Sequence, residues 1–289
     1  MAATVSHHGI LNPTGGLSCF SLARHEPSPD LASFVERYWV VRWDLRGREP
    51  YLSETLPHPC VNVVIEDERA AVHGVVTKRF AILLEGEGQA FGIKLRPGAF
   101  HPFVQRPLVE LTDRVVPLAE VFGPASGALI ADVRARRGDA PAQIARVEAF
   151  LRERLPAADP SVDEVVRIVQ LVLETRELTR VEELAERTGC SVRAMQRLFR
   201  RYVGVSPKWV IRRLRLHDAA DRVARGEVVS WTDLALSLGY CDQAHFIRDF
   251  RAQVGETPTA YAARCAARPE TPSAPSAAPA AIRHVASTR

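Results

Sequence analysis

Short apolar runs alternate with turn-forming residues over the first part of the chain, from Leu31 to about Phe103. The runs are rich in Val, Ile and aromatic residues and lie at 38–43, 61–65, 80–84 and 91–95. Proline and glycine separate them at 57–59, 85–88 and 97–98. Short β-prone segments at this spacing are typical of an all-β sandwich or barrel. The pattern therefore predicts a β-rich amino-terminal domain.

A helical period replaces this pattern near residue 140. Apolar side chains then recur on one face of a predicted helix, at Ile144, Val147, Leu151 and Leu155. We expect this face to pack on the β-rich domain, with a contact to a second copy of the chain as the alternative. Residues 156–160 begin and end with proline and predict a linker. Ser161 and Glu164 have the spacing of a capping box, which predicts that the next helix begins there.

The segment from Leu184 to Pro258 contains one pattern twice, about fifty residues apart. The matching pairs are Leu184/Leu234, Ala185/Ala235 and Gly189/Gly239 and, after one inserted residue, Met195/Phe246, Arg197/Arg248, Phe199/Phe250, Gly204/Gly255 and Pro207/Pro258. Repetition at a fixed period indicates a duplicated structural unit. Each copy predicts a short helix, a glycine turn and a second helix that carries arginine. This order is typical of the helix-turn-helix, whose second helix enters the major groove of DNA.

Helix-capping residues support this division. Residues that favour caps precede four of the predicted helices, namely Thr179 with Glu182, Ser191, Ser230 and Asp242. Ser206-Pro207 begins a longer helix that ends near Gly226 and is roughly 28 Å long at 1.5 Å per residue. A stiff helix of this length suits a spacer between two DNA readers that must lie about 34 Å apart along the duplex.

The second helix of each unit has one apolar face and one polar face. The residues expected to face inward are Met195, Leu198, Phe199, Phe246 and Phe250. The opposite face of the first unit predicts DNA contacts by Val192, Arg193, Gln196, Arg197, Arg200 and Arg201. The opposite face of the second unit predicts contacts by Gln243, Ala244, His245, Ile247, Arg248 and Arg251.

The chemistry of these side chains distinguishes residues that can read DNA bases from residues that can bind DNA phosphates. Arginine can bridge guanine O6 and N7, and glutamine can pair with adenine N6 and N7. The base readers that these pairings favour are Arg193, Gln196, Arg197, Gln243 and Arg248. Arg200 and Arg201 lie further from the helix start and are expected to hold phosphates. A phosphate contact is the alternative for each base reader, and a solvated helix surface is the alternative for the whole face.

The segment from Gly239 to Pro258 reads G-Y-x-D-Q-x-x-F-x-R-x-F-R-x-x-x-G-x-T-P. Together with the preceding LAERTGCSVRAMQRLFRRYVGVSP, it resembles the AraC/XylS family of bacterial transcription regulators over about 160–264. The resemblance implies sequence-specific binding of double-stranded promoter DNA through both recognition helices, by homodimers on repeated half-sites, and contact with RNA polymerase. It also implies a β-rich sensor, often a jelly-roll barrel, that a helical connector joins to the two readers.

Composition fits a soluble protein with a real core, since 46% of residues are hydrophobic and 25% are charged. The net charge is only +4, yet residues 178–268 contain 16 Arg/Lys against 10 Asp/Glu, whereas the remainder contains 22 against 24. This imbalance favours polyanion binding confined to the carboxyl-terminal half. The chain lacks the roughly 20 consecutive apolar residues of a membrane helix, and its start lacks the pattern of a secretory signal. We therefore expect a cytoplasmic protein with no membrane partner.

Residues that could carry catalysis are sparse. The five cysteines have no C-x-x-C spacing, so neither a disulfide framework nor a zinc clip is expected. His58, His73 and His101 are the histidines of a conceivable cupin-type metal site, but the H-x-H motif is missing. Cys19 and Cys60 stand apart from other metal-ligating residues. We expect no catalytic residue, metal or cofactor, and the alternative is a cupin-like enzyme or a DNA-repair enzyme with a DNA-binding anchor.

Two segments near predicted strand ends, 56–60 and 91–103, combine aromatic residues, histidine and arginine. We expect them to border a pocket for a small-molecule effector, because ligand sites favour apolar surroundings with a few polar groups. An empty packed core is the alternative.

Together these patterns predict an α+β protein, with a β-rich jelly-roll or cupin-like domain followed by an all-α domain with two helix-turn-helix units. The predicted ranges are a flexible terminus at 1–29, a sensor or dimerisation domain at 30–155, a DNA-binding domain at 156–266 and a disordered tail at 267–289. The predicted function is sequence-specific regulation of transcription, modulated by an amino-terminal domain that senses a small molecule or mediates dimerisation.

Overall fold

The computed structural model describes residues 9–11, 16, 18–175, 177–228 and 230–266, and the backbone of 283–284. Strands dominate the first part of the chain: β1 (Phe20–His25), β2 (Val35–Asp44), β3 (Tyr51–Thr55), β4 (Asn62–Glu66), β5 (Ala70–His73), β6 (Phe80–Leu84), β7 (Glu87–Leu95) and β8 (Val115–Pro117). The helices of this part are α1 (His101–Val104), α2 (Leu118–Phe122), α3 (Ala125–Ala135) and α4 (Ala140–Arg152), with a 3-10 turn at Leu108–Leu111. The predicted α+β architecture is confirmed.

Two antiparallel sheets face each other in the amino-terminal domain. The larger sheet has the order β1-β2-β7-β4-β5-β8, and the smaller consists of β3, β6 and β9 (Arg283–His284). Apolar side chains that include Trp43, Val64 and Leu84 join the two sheets. The outer face of the larger sheet packs on α3 and α4 through residues that include Tyr38 and Phe91. The larger sheet is therefore covered on both faces.

The apolar face of α4 packs on this domain, as the periodicity indicated. Val147 and Leu151 are buried in the core beneath the larger sheet, and Ile144 packs at the edge of that core. Leu155 lies beyond the end of α4 and is 39% exposed, so its predicted place on this face was wrong. The helix ends three residues earlier, and Leu155 cannot reach the core from there.

Ordered structure begins earlier than the sequence predicted. The predicted flexible terminus at 1–29 includes β1, and β1 pairs with β2 along its whole length. The physical reason is Phe20, which is buried between the two sheets and holds β1 at the edge of the larger one. The predicted disordered tail at 267–289 lies outside the described residues except at 283–284, where the backbone pairs with Ile82 and Leu83.

The second part of the chain is helical. Its elements are α5 (Pro160–Glu174), α6 (Val181–Thr188), α7 (Val192–Tyr202), α8 (Pro207–Ala224), α9 (Trp231–Ser237), α10 (Gln243–Val254) and α11 (Pro258–Ala266). The pairs α6–α7 and α9–α10 are the two helix-turn-helix units. Each unit has its own core, which contains Met195 and Phe199 in the first unit and Phe246 and Phe250 in the second.

Helix α8 contributes to both of these cores. Its first half packs in the core of the first unit through Val210, Ile211 and Leu214. Its second half packs in the core of the second unit through Leu216, Ala219, Ala220 and Val223. The buried Arg215 donates to the carbonyl oxygens of Val172 and Thr175 at 2.7 and 2.6 Å. These carbonyls lie at the end of α5, where helical partners are lacking, so α8 also ties α5 to the two units.

Two predicted capping boxes do not form. Asp159, and not Ser161, caps α5 by accepting from the Ser161 N–H at 2.9 Å, because Pro160 suits the first helical position. Helix α6 begins at Val181 without a side-chain cap. The side chain of Thr179 lies instead against the turn of the second unit, where a Cβ on Gly239 would come within 2.5 Å of it.

Direct contacts join the two domains. Thr112 Oγ1 donates to the carbonyl oxygen of Gly204 at 2.7 Å. Arg213 of α8 is almost completely buried, and its guanidinium donates to the carbonyl oxygen of Thr77. Leu56, which follows β3, packs in the core of the second helix-turn-helix unit. The amino-terminal domain therefore contacts both units of the helical domain.

Two glycines of β7 make room for two tryptophans of β2. Gly92 is paired with Trp39 and Gly88 with Trp43 in the β2–β7 register. A Cβ on Gly92 would lie 1.9 Å from the Trp39 ring, and a Cβ on Gly88 would lie 2.1 Å from the Trp43 ring. Both indole rings therefore lie over the backbone of β7, in the space between the two sheets.

The substitution Gly92→Ala is expected to lower the free energy of unfolding by about 1–3 kcal/mol, because the added methyl group overpacks the site beneath Trp39. Gly127→Ala in α3 is the matched control, since no atom of the described residues lies within 4 Å of its added Cβ. Alanine is favoured over glycine in a helix by roughly 0.5–1 kcal/mol. Urea denaturation measures both effects, and unchanged stability of Gly92→Ala would contradict the close contact.

Candidate DNA-binding surface

A glycine turn and a serine cap shape the first helix-turn-helix unit. Gly189 ends α6 with φ of +67°, a left-handed conformation that favours glycine. The Oγ of Ser191 then accepts from the Ala194 N–H at 3.2 Å and begins α7. Met195 and Phe199 on one side of α7 are completely buried. Their burial fixes the rotation of α7 and leaves its opposite side in solvent.

The solvent side of α7 carries the predicted contact residues. The exposed ones are Arg193, Gln196, Arg197, Arg200 and Arg201, while Val192 is half-buried. Leu198, expected to face inward, is also only half-buried. Two acids of α6 pair with nearby arginines, since Glu183 binds Arg187 at 2.6 Å and Glu182 lies 3.7 Å from Arg180. The positive charge of α7 is thus presented outward.

Arg201 of α7 is hydrogen-bonded to His101, a residue of the amino-terminal domain. Its Nε–H donates to Nε2 of His101 at 3.1 Å. The His101 ring packs on the Tyr202 ring, with 4.1 Å between the centroids. Arg201 therefore contacts the amino-terminal domain, which helical periodicity could not indicate because His101 lies 100 residues earlier in the chain. Its predicted contact with a phosphate stays a prediction.

The second unit repeats the same construction. Ser230 caps α9 by accepting from the Asp233 N–H at 3.2 Å, and Gly239 follows α9 with φ of +79°. Asp242 caps α10 by accepting from the His245 N–H at 2.6 Å. Phe246 and Phe250 of α10 are completely buried, with their ring centroids 5.6 Å apart. The duplicated sequence therefore folds into two units with equivalent caps, turns and buried rings.

The outward side of α10 is less basic than that of α7. Its exposed residues are Ala244, His245, Arg248 and Arg251, and Gln243 and Ile247 are half-buried. The side-chain oxygen of Gln243 accepts from Thr232 Oγ1 at 2.9 Å, which orients the amide. Thr232 was not among the predicted site residues, although its place in the first turn of α9 mirrors that of Glu182 in α6.

A buried network behind α10 was also not predicted. The Tyr240 hydroxyl donates to Asp249, and Asp249 pairs with Arg212 of α8. Burial, followed by the hydrogen bond to Asp249, raises the pKa of Tyr240. The network ties α10 to α8, so it sets the position of the second recognition helix. The signal in the sequence is Asp249 itself, an acid on the side of the helix that faces inward.

The two sheets of the amino-terminal domain enclose a cavity of about 260 Å³. His58, Cys60 and Lys94 line it, so parts of the predicted pocket segments do border a cavity. Phe91 and Phe100 do not, because they face the opposite side of the larger sheet and belong to the core there. The prediction assigned whole segments to the pocket because their residues are close in sequence. Neighbouring side chains along a strand point to opposite faces of the sheet, so only some of them can line the cavity.

The candidate residues for enzyme chemistry are separated by the fold. His58 and His73 line the cavity, whereas His101 lies at the domain contact. Burial raises the pKa of the Cys60 thiol to about 11, which disfavours a reactive thiolate. Within the described ranges, no group of three or more His, Cys, Asp or Glu side chains is placed to hold a metal ion. Nor does any helix of those ranges have the length and apolar character needed to cross a membrane.

Two family models match separate parts of the chain. A domain of unknown function matches residues 23–117, and a helix-turn-helix domain matches residues 184–264. Over 110 residues the chain is 31% identical to XylDLEGF operon transcriptional activator 1 of Pseudomonas putida, a match that covers 37% of this chain and 33% of the activator. The chain thus matches about a third of the length of that relative.

Two further relatives match a similar share of the chain. The probable transcription factor PqrA of Proteus vulgaris is 27% identical over 104 residues, or 36% of this chain and 84% of PqrA. The crystal structure of an AraC-type regulator from Chromobacterium violaceum is 26% identical and covers 37% of this chain and 96% of that chain, with a TM-score of 0.34.

The duplicated, capped units form a double helix-turn-helix domain, and the chain is similar to transcription regulators over somewhat more than a third of its length. The helix-turn-helix match and the similarity to XylDLEGF operon transcriptional activator 1 support the resemblance to the AraC/XylS family seen between Gly239 and Pro258.

The contact between His101 and Arg201 predicts a pH dependence of stability. Burial and then the charge of Arg201 lower the pKa of His101 from its ordinary value of 6.5, and Asp159 opposes them. Between the lowered pKa and 6.5 the folded state binds fewer protons than the unfolded state. The stabilising contribution is therefore complete above 6.5 and is lost as the pH falls below it. His101→Gln keeps an acceptor for Arg201 and removes the titration.

Chemical denaturation at pH values from about 7.5 to about 5.5 measures this effect. The wild-type protein is expected to lose more stability than His101→Gln as the pH falls. His245→Gln is the control, because His245 is exposed and its replacement leaves the buried contact in place. Parallel curves for the wild-type protein and His101→Gln would contradict the role assigned to His101.

Proposed function

We propose that this protein regulates transcription by placing α7 and α10 in successive major grooves of promoter DNA. One observation carries the proposal. In both copies of the duplicated unit, two large apolar side chains of a capped helix are completely buried while arginine is exposed on the other side. A rigid helix with an outward basic face can approach the phosphates and the base edges together. Helix α8 packs with both units, which supports a fixed spacing between the two readers.

The roles of individual side chains follow from their place on these helices. We assign base reading to Arg193, Gln196 and Arg197 on α7 and to Gln243 and Arg248 on α10, all within the first six residues of their helices. The bond from Thr232 occupies one of the two lone pairs of the Gln243 oxygen and leaves capacity for an adenine edge. The phosphate contacts fall to Arg200 and Arg251, one turn further along.

The proposal extends to the transcription machinery. Four of the similar proteins are described as transcriptional activators of the XylDLEGF operon, which supports contact with RNA polymerase at the promoter. We also propose that two copies bind repeated half-sites as a homodimer, since a closed pair suits repeated DNA sites. We place this activity in the cytoplasm, where promoter DNA is accessible.

Replacing the readers separates sequence recognition from general attraction to DNA. Arg197→Ala and Arg248→Ala are each expected to weaken binding to a site selected from a random DNA pool by about 1–3 kcal/mol and to relax base preference. Arg136→Ala is the matched control. Arg136 follows α3 in the amino-terminal domain, so this substitution removes one exposed positive charge away from both recognition helices. Binding is measured by fluorescence anisotropy at fixed salt.

Each variant is also measured on DNA of random sequence. Arg197→Ala and Arg248→Ala should lose less affinity there than on the selected site, because phosphate contacts dominate nonspecific binding. Equal losses on both DNAs would overturn their assignment as base readers, and no loss on either would overturn the proposed surface.

We further propose that the amino-terminal domain binds a small-molecule effector in the cavity between its sheets. A volume of about 260 Å³ exceeds the roughly 150 Å³ that accommodates benzene in an engineered apolar cavity. The wall is mainly apolar and includes Trp39, Val41 and Trp43, as is usual for ligand sites.

The contacts at the edge of the cavity support a route from effector to DNA-binding domain. The ring of His58, a cavity residue, stacks on the ring of His217 of α8 with 4.1 Å between the centroids. The Nε2 of His217 is also within hydrogen-bond distance, 3.3 Å, of the Pro57 carbonyl oxygen. Because α8 packs in the cores of both units, a shift of residues 57–58 would move α8 and with it both recognition helices.

A thermal-shift screen of small apolar metabolites tests this sensor role. A true effector at a hundred times its Kd stabilises the folded state by about 2.7 kcal/mol. The same compound should not stabilise Ala90→Phe, because the larger side chain fills the space beside Ala90, a residue of the cavity wall. Stabilisation that persists in Ala90→Phe would place the binding elsewhere on the molecule.

A further inference from the structure

The two helix-turn-helix units differ at the first residue of their recognition helices. Helix α7 begins with Val192 and α10 begins with Gln243, each one residue after the capping side chain. Val192 packs against the core of the first unit. Gln243 is half-buried, and its amide can both donate and accept hydrogen bonds. The duplication therefore places a hydrocarbon side chain and a polar side chain at the same position of the two units.

The amide of Gln243 is held from the neighbouring helix. Its Oε1 accepts from Thr232 Oγ1 at 2.9 Å, although the two residues are 11 positions apart in the chain. Thr232 is the second residue of α9, and the second residue of α6 in the first unit is Glu182. The corresponding partner of Glu182 is Val192, whose side chain can neither donate nor accept a hydrogen bond. The bond from Thr232 therefore distinguishes the second unit from the first.

The backbone of α10 is fixed by other contacts. Asp242 caps its start, and Asp249 further along binds Tyr240 and Arg212. The side-chain torsions of Gln243 are then the main freedom left at the start of the helix. Glutamine loses rotamer entropy when it is ordered on binding. A bond to Thr232 lowers this cost, because it orders the amide before DNA is bound.

The orientation of this amide suits adenine. In the major groove adenine presents an acceptor, N7, beside a donor, the N6 amino group, and a glutamine amide can pair with both. The Oε1 of Gln243 has two lone pairs, so it can accept from Thr232 and from the adenine N6 amino group together. The Nε2 amino group then donates to N7. Guanine presents two acceptors at the same edge, and the oxygen of the amide has no donor to bind there.

The two recognition helices also differ in charge. The exposed arginines of α7 are Arg193, Arg197, Arg200 and Arg201, and those of α10 are Arg248 and Arg251. Attraction between arginine and phosphate acts on every DNA sequence alike. With fewer such cations, α10 depends more on oriented hydrogen bonds to bases, and Gln243 is one of its two assigned base readers.

From this arrangement we propose that Thr232 is a positioning residue for DNA recognition. It orients the amide of Gln243 toward an adenine of the DNA site and thereby sets the base preference of the second unit. The bond between the two side chains strengthens when DNA excludes water from this surface. This role rests on the proposed function of α10 as a DNA reader.

Base preference measures the role of Thr232. Selection from a random DNA pool with the wild-type protein and with Gln243→Ala identifies the base that depends on Gln243, which is expected to be adenine. Fluorescence anisotropy then gives the affinities for the selected site and for a site with guanine in place of that adenine. Thr232→Val is expected to lower the ratio of the two affinities about threefold to tenfold, the effect of one hydrogen bond. Thr232→Ser keeps the hydroxyl group and should retain the wild-type ratio.

Two comparisons separate positioning from a general effect on the fold. Thr188→Val is the matched control, since the Thr188 hydroxyl donates to the Leu184 carbonyl oxygen within α6 at 2.8 Å, and this variant should keep the wild-type ratio. In a Gln243→Ala background, Thr232→Val should cause no further change, because it acts through the amide. A loss that persists in that background, or a loss in Thr232→Ser as large as in Thr232→Val, would overturn the positioning role.

The outcomes also distinguish this proposal from the proposed function. Unchanged base preference in Gln243→Ala, together with weaker specific binding by Arg248→Ala, would overturn the roles of Gln243 and Thr232 and leave α10 as a DNA reader. Dependence of Gln243 on a base other than adenine would overturn the assigned orientation of the amide. A wild-type protein that selects no sequence from the pool would overturn the proposed function itself.

Discussion

The burial of α8 is the constraint on which the arrangement of the DNA-binding domain depends. One half of this helix completes the core of the first helix-turn-helix unit, and the other half completes the core of the second. A unit of two short helices has too little apolar surface to be stable alone, so each unit needs α8 to close its core. The same helix that stabilises the units therefore also sets their spacing and orientation.

Buried charges on α8 extend this constraint to the rest of the molecule. Arg215 donates to carbonyl groups at the end of α5, and Arg213 donates to the carbonyl oxygen of Thr77 in the amino-terminal domain. Burial lowers the pKa of Arg213 to about 10, which still leaves it charged near neutral pH. A buried guanidinium is costly unless its donors are satisfied, so these contacts favour one relative position of the two domains. The contacts of His101 with Arg201 and of His58 with His217 lie along the same boundary.

The local parts of the candidate site were predictable from the sequence. Ser191, Ser230 and Asp242 cap the helices that they were expected to cap, because a cap acts over three residues and carries its own signal. The inward aromatic residues were also correct, since helical periodicity places them opposite the arginines. The predicted capping boxes at Thr179 and Ser161 do not form. At α5 the helix begins at Pro160 and Asp159 is the cap, whereas the side chain of Thr179 packs against the turn at Gly239.

The main feature of the amino-terminal domain, its cavity, could not be predicted from local sequence. Its β-rich character could be inferred from short apolar runs, but the cavity could not, because it is made by the register between strands far apart in the chain. Nothing local to Arg37, Lys94 or Asn62 indicates that they share one row, and the pairing of each tryptophan with a glycine depends on the same register.

The sequence by itself determined the duplicated helical units, their caps and their outward arginines, since each of these is encoded by residues within a few turns of one another. Only the tertiary structure decided that Arg201 binds the amino-terminal domain, that α8 packs in both cores, and that Arg37 and Lys94 line one cavity. Those features arise from contacts between residues distant in sequence, and their energies exist only once the chain has brought the partners together.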